Sequence, residues 1–460
     1  VCNAFFLCII AGKLRAAVAV PGGEQSLVSL LHALSQLPVR APSEVLIEAL
    51  TQLQTAVDRL TAVEISGVMT ALKKLQMDPD DQLMGSYLDR AAAAAAAGTA
   101  SAKDMAAVLQ SLAAAGVVPS GVWLGGFLVA VQQKLADADS QTLAAICHAA
   151  AALTEAGQAG AAKDSSSSYS PDPRFVSDLA AEATSRLGSS YMDASRILNS
   201  PDYKAPLNLS GLADAAWGLV QLGANPKDLQ PLINMLISKS YDRFSQLTVQ
   251  QLCGAAWAIA RCSSSSSNAA AVKLPSKWLN QFAAAAAPGV QQLTKPQLSE
   301  LIWALGRLYL SADGQYSTGS GSSSSSSSSS NEGSSNSSSS STTAAGSSIG
   351  RSSDVPVQQL LRTVASQLDT QLLEQQQQQG PGQTEVSTMV NLLTKFDCSA
   401  SRLLLQRFCA DVSGAWPQLS DAAVADAAVA VAVLVEPGSS SSSIVPPGWM
   451  QTLADQVHSR

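Results

Sequence analysis

Nine times along the chain an apolar residue opens the same helical pattern, at Leu27, Ile65, Met105, Leu143, Leu212, Leu252, Leu298, Val386 and Val424. The regular intervals are 38 to 40 residues, and the longer ones are 69, 46 and 88. From each opener apolar residues recur at +7 and usually at +10. Position +6 is small in eight of the nine: Ala33, Ala71, Ser111, Ala149, Gly218, Ala258, Ala304 and Ala430, with Leu392 the exception. A period of this size predicts a stacked repeat array, because no single repeat can bury its apolar face alone. Small residues at a fixed register predict close approach by a neighbouring helix.

Alanine inflates an apolar content of 46%, and only 5% of the chain is aromatic. Alanine and leucine without β-branched alternation favour helix throughout. The expected fold is all-α: an α-solenoid of about nine helix-turn-helix repeats. Each repeat reads as a helix A, a loop and a helix B. Gly116 and Gly223 fit a left-handed stop to helix A. Prolines then open helix B, with an apolar anchor a few residues on: Pro119 with Trp123, Pro171 with Phe175, Pro226 with Leu229, Pro275 with Trp278, and Pro447 near Trp449. Proline suits the first helical turn, where its missing N–H costs nothing. These anchors read as core or capping architecture.

The long intervals have one cause in this reading. Ser- or Gly-rich inserts at 157–170, 263–273, 311–354 and 436–444 fall between helix A and helix B, and another at 188–208 follows a helix B. Such segments bury too little apolar surface to order themselves. Repeats are expected over 27–310 and 355–460, with 1–26 as a truncated repeat. The chain starts at Val1 and stops at Arg460 inside a helix B, so a longer reading frame is expected at both ends.

A net charge of −7 and a pI near 5.1 speak against a generic nucleic-acid binder. The seven cysteines form no C-x-x-C pair and mostly sit at apolar helical positions, as small buried hydrophobes do. No phosphate loop, H-E-x-x-H or G-x-S-x-G occurs, so no cofactor, metal or catalytic set is expected. The apolar stretch near the N-terminus, Phe5 to Ile10, is too short for a membrane span, and no membrane partner is expected.

A narrow stripe at +2, +5 and +9 lies opposite the apolar arc of helix A. Position +5 reads His32, Thr70, Gln110, His148, Trp217, Trp257, Trp303 and Asn391 in the first eight repeats. Position +9 contributes Gln36, Lys74, Gln221, Arg261, Arg307 and Lys395. Residues four apart are neighbours on a helix, so Trp257 stands beside Arg261 and Trp303 beside Arg307. Aromatic and basic side chains on one stripe suit unpaired bases and phosphates. The competing expectation is that the tryptophans pack between repeats.

The pattern L-x-x-x-x-W-A-L-x-x-L, followed by P-x-x-W, resembles the octotricopeptide repeat. It is carried by Leu212–Leu222, Leu252–Cys262 with Pro275–Trp278, and Leu298–Leu308. The resemblance spans roughly 27 to 460 and is strongest from 206 to 308. It implies an organellar factor that binds single-stranded RNA sequence-specifically and supports RNA processing, mRNA stability or translation. It also implies other organellar RNA-processing proteins as partners, and the chloroplast stroma or the mitochondrial matrix as location. Related helical repeats occur in FAST-kinase-like proteins, and many relatives carry a C-terminal RAP-type domain, no signature of which is visible up to Arg460. A protein-binding scaffold of armadillo or HEAT type is the alternative, and it accommodates the acidic charge directly.

Overall fold

The computed structural model describes residues 23–36, 43–77, 80–161, 169–187, 205–265, 274–310, 355–374, 383–395, 398 and 400–415, with isolated positions between 427 and 452. Among them are sixteen α-helices and no strand. In chain order the A helices are α1 (Gly23–Gln36), α3 (Ala62–Lys74), α5 (Ala102–Ala115), α7 (Ser140–Ala161), α9 (Leu209–Gln221), α11 (Val249–Ser265), α13 (Lys295–Leu305) and α15 (Gln383–Lys395). The B helices between and after them are α2 (Ser43–Thr55), α4 (Asp81–Ala96), α6 (Gly121–Gln133), α8 (Pro173–Ser185), α10 (Pro226–Ser240), α12 (Ser276–Ala286), α14 (Val355–Glu374) and α16 (Arg402–Ala415). The described fold is thus all-α and built of helix pairs.

The chain divides into two compact bodies, residues 1–247 with 261–269, and residues 248–260 with 270–460. In the first, each A helix packs on the next, from α1 through α3, α5 and α7 to α9, and the B helices α4, α6, α8 and α10 pack in the same order. In the second, α13 packs on α15, α12 on α14, and α14 on α16. The α7–α9 contact bridges the 69-residue interval and the α13–α15 contact the 88-residue interval. The inserted residues therefore leave the repeat register intact.

Helix A starts the same way in six of the repeats, those opened by Ile65 through Leu298. Four residues before the opener stands a polar cap: Thr61, Ser101, Asp139, Asn208, Thr248 or Thr294. Thr61 with Glu64, Ser101 with Asp104 and Thr294 with Gln297 form reciprocal capping boxes, and Thr248 bonds Gln251 in the same way. Each cap satisfies helix-end N–H groups that would otherwise lack partners. The residue before the cap is apolar and buried: Leu60, Ala100, Ala138, Leu207, Leu247 and Leu293. It and the opener occupy the two positions of a hydrophobic staple, so the cap fixes the entry angle of the chain as well as the helix start.

The +6 column behaves as its small residues require. Ala71, Ser111, Ala149, Gly218, Ala258 and Ala304 are buried, whereas Ala33 in the first helix is exposed. A Cβ on Gly218 would collide with the carbonyl of Cys147, so α7 and α9 touch backbone to backbone. Ser66 Oγ donates to the Ala107 carbonyl at 2.9 Å, tying α3 to α5.

The helix B anchors are structural. Trp278 is buried and stacks on Phe282 at 5.6 Å. Trp123 stacks on Phe127, and its Nε1 donates to the Leu88 carbonyl at 2.8 Å. Trp449 Nε1 donates to the Cys409 carbonyl at 3.0 Å. A helix B tryptophan thus reaches a backbone carbonyl of the preceding helix B, satisfying its only polar group while burying its ring. Helix B starts differ slightly from expectation: Pro226 opens α10, but Pro119 and Pro171 stand just before the caps Ser120 and Asp172.

Two insert boundaries move. Helix α7 runs on through 157–161 and α11 through 263–265. Ala156, Gln158 and Ala159 continue a helix readily, and no proline stops it. Residues 205–208 lead into α9, with Leu207 N–H bonded to the Arg186 carbonyl. Helix α1 begins at Gly23, inside the segment expected as a truncated repeat. The inserts 311–354 and 436–444, and most of the ninth repeat, lie outside the described residues.

Candidate nucleic-acid interface

Helical geometry turns the +5 residues outward, and burial agrees. His32, Gln110 and His148 are exposed, while Thr70, Trp217, Trp257, Trp303 and Asn391 are half-buried. At +9, Gln36, Lys74, Arg261 and Arg307 are exposed and Gln221 is half-buried. Lys395 closes α15, and its side chain lies outside the described part.

The stripe residues pair between adjacent helices at equal register. His148 on α7 lies against Trp217 on α9, ring centroids 4.8 Å apart and tilted by 38°. Trp257 on α11 faces Trp303 on α13 at 6.4 Å and 49°. Arg307 caps this second pair, its guanidinium 5.7 Å from the Trp303 ring. Such separations suit offset or tilted aromatic contact and cation–π attraction. The tryptophans therefore contact neighbouring repeats and still leave ring surface open to solvent. Close A-to-A packing makes this geometry available, since only a small +6 residue lets two such helices approach.

Other predicted positions are placed separately. His32 and Gln36 approach within their own helix at 3.5 Å. Gln221 lies beside the Glu155 carboxyl, whose pKa is raised from the ordinary value by burial, with the amide opposing the shift.

Two acidic stripe residues were absent from the predicted set. Asp214 and Glu300 occupy +2, one turn before Trp217 and Trp303. Only the terminal charges suit the helix dipole: Glu64 and Asp104 stand in the first turns of α3 and α5, and Lys73 and Lys74 in the last turn of α3. Asp214 and Glu300 stand mid-helix, and Arg307 follows the end of α13.

No group of His, Cys, Asp and Glu among the described residues could hold a metal ion. Cys147, Cys253, Cys262, Cys398 and Cys409 are buried free thiols. Burial pushes the Cys262 and Cys409 thiols up to about 11, and raises Cys147 and Cys253 further. These groups are chemically quiet. No described helix is long and apolar enough to cross a membrane.

Each of the two bodies is built of paired helices, and each carries one aromatic pair on its A helices: His148 with Trp217 in the first, Trp257 with Trp303 in the second. No protein-family model matches the chain, and no curated protein matches it.

Proposed function

We propose that the chain is an α-solenoid of the octotricopeptide type that binds single-stranded RNA along the A-layer stripe. The observation that carries this reading is the repeated, half-open ring at +5: Trp217 against His148, and Trp257 against Trp303 with Arg307 over its face. Half-open rings at repeat spacing offer π-faces to successive unstacked bases, and the cations one turn on serve phosphates. Polar +5 residues such as Gln110 and Asn391 then read base edges. Action on organellar transcripts, in processing, stability or translation, follows from the sequence resemblance.

Filter binding with transcript pools at low salt tests this. Each phosphate contact to a single strand contributes about 0.7 to the slope of log affinity against log salt. Replacing Arg261 and Arg307 by glutamate is expected to weaken binding and to flatten that slope by about 1.4. An unchanged slope removes both residues from the site, and no retained RNA refutes the reading.

One observation favours the rival, a protein-docking scaffold. Val118, and Val122 and Val129 on α6, are large apolar side chains left exposed, Val122 at 90%. They lie on or beside helix B, away from the stripe, so the two readings predict binding on different layers.

A further inference from the structure

Beyond the stripe, a cavity of about 350 Å³ opens where the second and third repeats turn from A into B. Its walls are Met69, Leu72, Met77, Met84, Ala115 and Val117, and its polar members are Lys73 and Gln76. The volume lies at the small end of the range for ligand pockets.

Gln76 is unusual in its backbone. It has φ 54°, and no other non-glycine described residue has a positive φ. The same turn recurs in two other A helices. Gln76 N–H bonds the Lys73 carbonyl and Met77 N–H the Leu72 carbonyl, as Gly116 and Val117 bond Ala113 and Leu112, and as Gly223 and Ala224 bond Val220 and Leu219. The other two copies use glycine, which adopts this left-handed position without strain. A glutamine there is strained, and strain of this kind tends to accompany function. What glutamine adds over glycine is one exposed carboxamide beside the cavity, with no hydrogen-bond partner among the described residues.

We infer that this cavity accepts one base of the bound strand, turned out of the stack, with Gln76 selecting adenine and Lys73 holding an adjacent phosphate. The inference rests on the RNA reading above. Methionine sulfurs pack well against aromatic rings. The carboxamide offers a donor and an acceptor together, the arrangement that pairs with N6 and N7 of adenine. Lys73 and Lys74 are exposed and enter no ion pair among the described residues, which supplies charge complementarity at the rim. Lys74, the stripe residue of the same repeat, adjoins the rim residue Lys73 at the C-terminal end of α3, so a strand leaving the stripe at that end reaches the opening.

Fluorescence anisotropy of the full chain with labelled A12, U12 and C12 oligonucleotides tests the inference, alongside Gln76→Gly and the cavity-filling Ala115→Leu. The wild type is expected to prefer A12. Gln76→Gly is expected to lose about tenfold for A12 and little for U12. Its Tm is expected to rise by about 2 °C, because the strain is relieved. Ala115→Leu is expected to weaken A12 binding without altering the circular dichroism. An adenine preference that survives both substitutions overturns the cavity assignment and leaves stripe binding standing. Failure of every oligonucleotide to bind the wild type overturns both.

Discussion

Gly218→Ala places a methyl group where α7 already stands. The new Cβ would lie 2.5 Å from the Cys147 carbonyl carbon and 2.9 Å from the His148 nitrogen, and nearer still to the Cys147 oxygen. All three are backbone atoms, so no rotamer change relieves the contact. Comfortable carbon contacts begin at about 3.5 Å, so the helices must part by roughly 1 Å. Overpacking costs typically 1–3 kcal/mol, and a backbone collision belongs at the top of that range. Alanine recovers about 1 kcal/mol of helix propensity over glycine, leaving a net loss of about 2 kcal/mol. Gly126→Ala is the control: it is exposed within α6, and its Cβ would meet nothing within 4 Å. That variant is expected to gain up to about 1 kcal/mol. Urea denaturation of both variants, followed by circular dichroism, compares them on one chain. A Gly218→Ala protein as stable as the wild type would refute the close A-to-A packing on which the ring pairs depend.

Three other outcomes are expected. Thr61→Ala removes one half of a capping box and should cost about 1 kcal/mol in the same denaturation assay, with Ser101→Ala giving a similar loss. Asp139 accepts the Thr142 N–H at 2.7 Å, which, with lesser help from the Thr142 side chain and Lys103, holds its carboxyl below the usual range against burial. A depressed pKa stabilises fully above the unfolded value near 4. The stability gap between wild type and Asp139→Asn should therefore be present at neutral pH and close as pH falls through the lowered pKa, as read by Tm against pH. Native protein at pH 8 should resist iodoacetamide at Cys147 and Cys253 by peptide mapping, and urea-unfolded protein should not.

Much of this arrangement was legible in the sequence, and the remainder was not for identifiable reasons. The period gave the repeats, and the small +6 column gave the face of helix-to-helix approach, because sterics leave only small residues there. The 100° step of a helix turned +5 outward, and burial agrees. Which +5 residues meet is another matter. Pairing of His148 with Trp217 depends on the axial register between two helices, and periodicity alone does not specify that register. The cap column at −4 was readable from Thr61, Ser101, Asp139, Asn208, Thr248 and Thr294, but it lies outside the apolar pattern used to align the repeats. The left-handed turn at Gln76 is not legible in the sequence, because glycine is the residue that marks such a position. The carboxyl beside Gln221, Glu155, comes from the helix before, which a pattern within one helix does not specify. The boundary at 157–161 shifted because alanine and glutamine sustain α7 beyond the expected loop start, whereas nothing in the propensity of the three serines at 263–265 announces that α11 continues through them.

The proposed function puts RNA on the A layer. Ultraviolet cross-linking of a bound, unstructured oligonucleotide to the full chain, followed by mass mapping of the modified peptides, tests it most directly. Adducts are expected to concentrate on peptides bearing Trp217, Trp257 and Trp303, and to be lost at high salt. Adducts confined to B-layer peptides such as that of Val122 and Val129, or none at all, would contradict it.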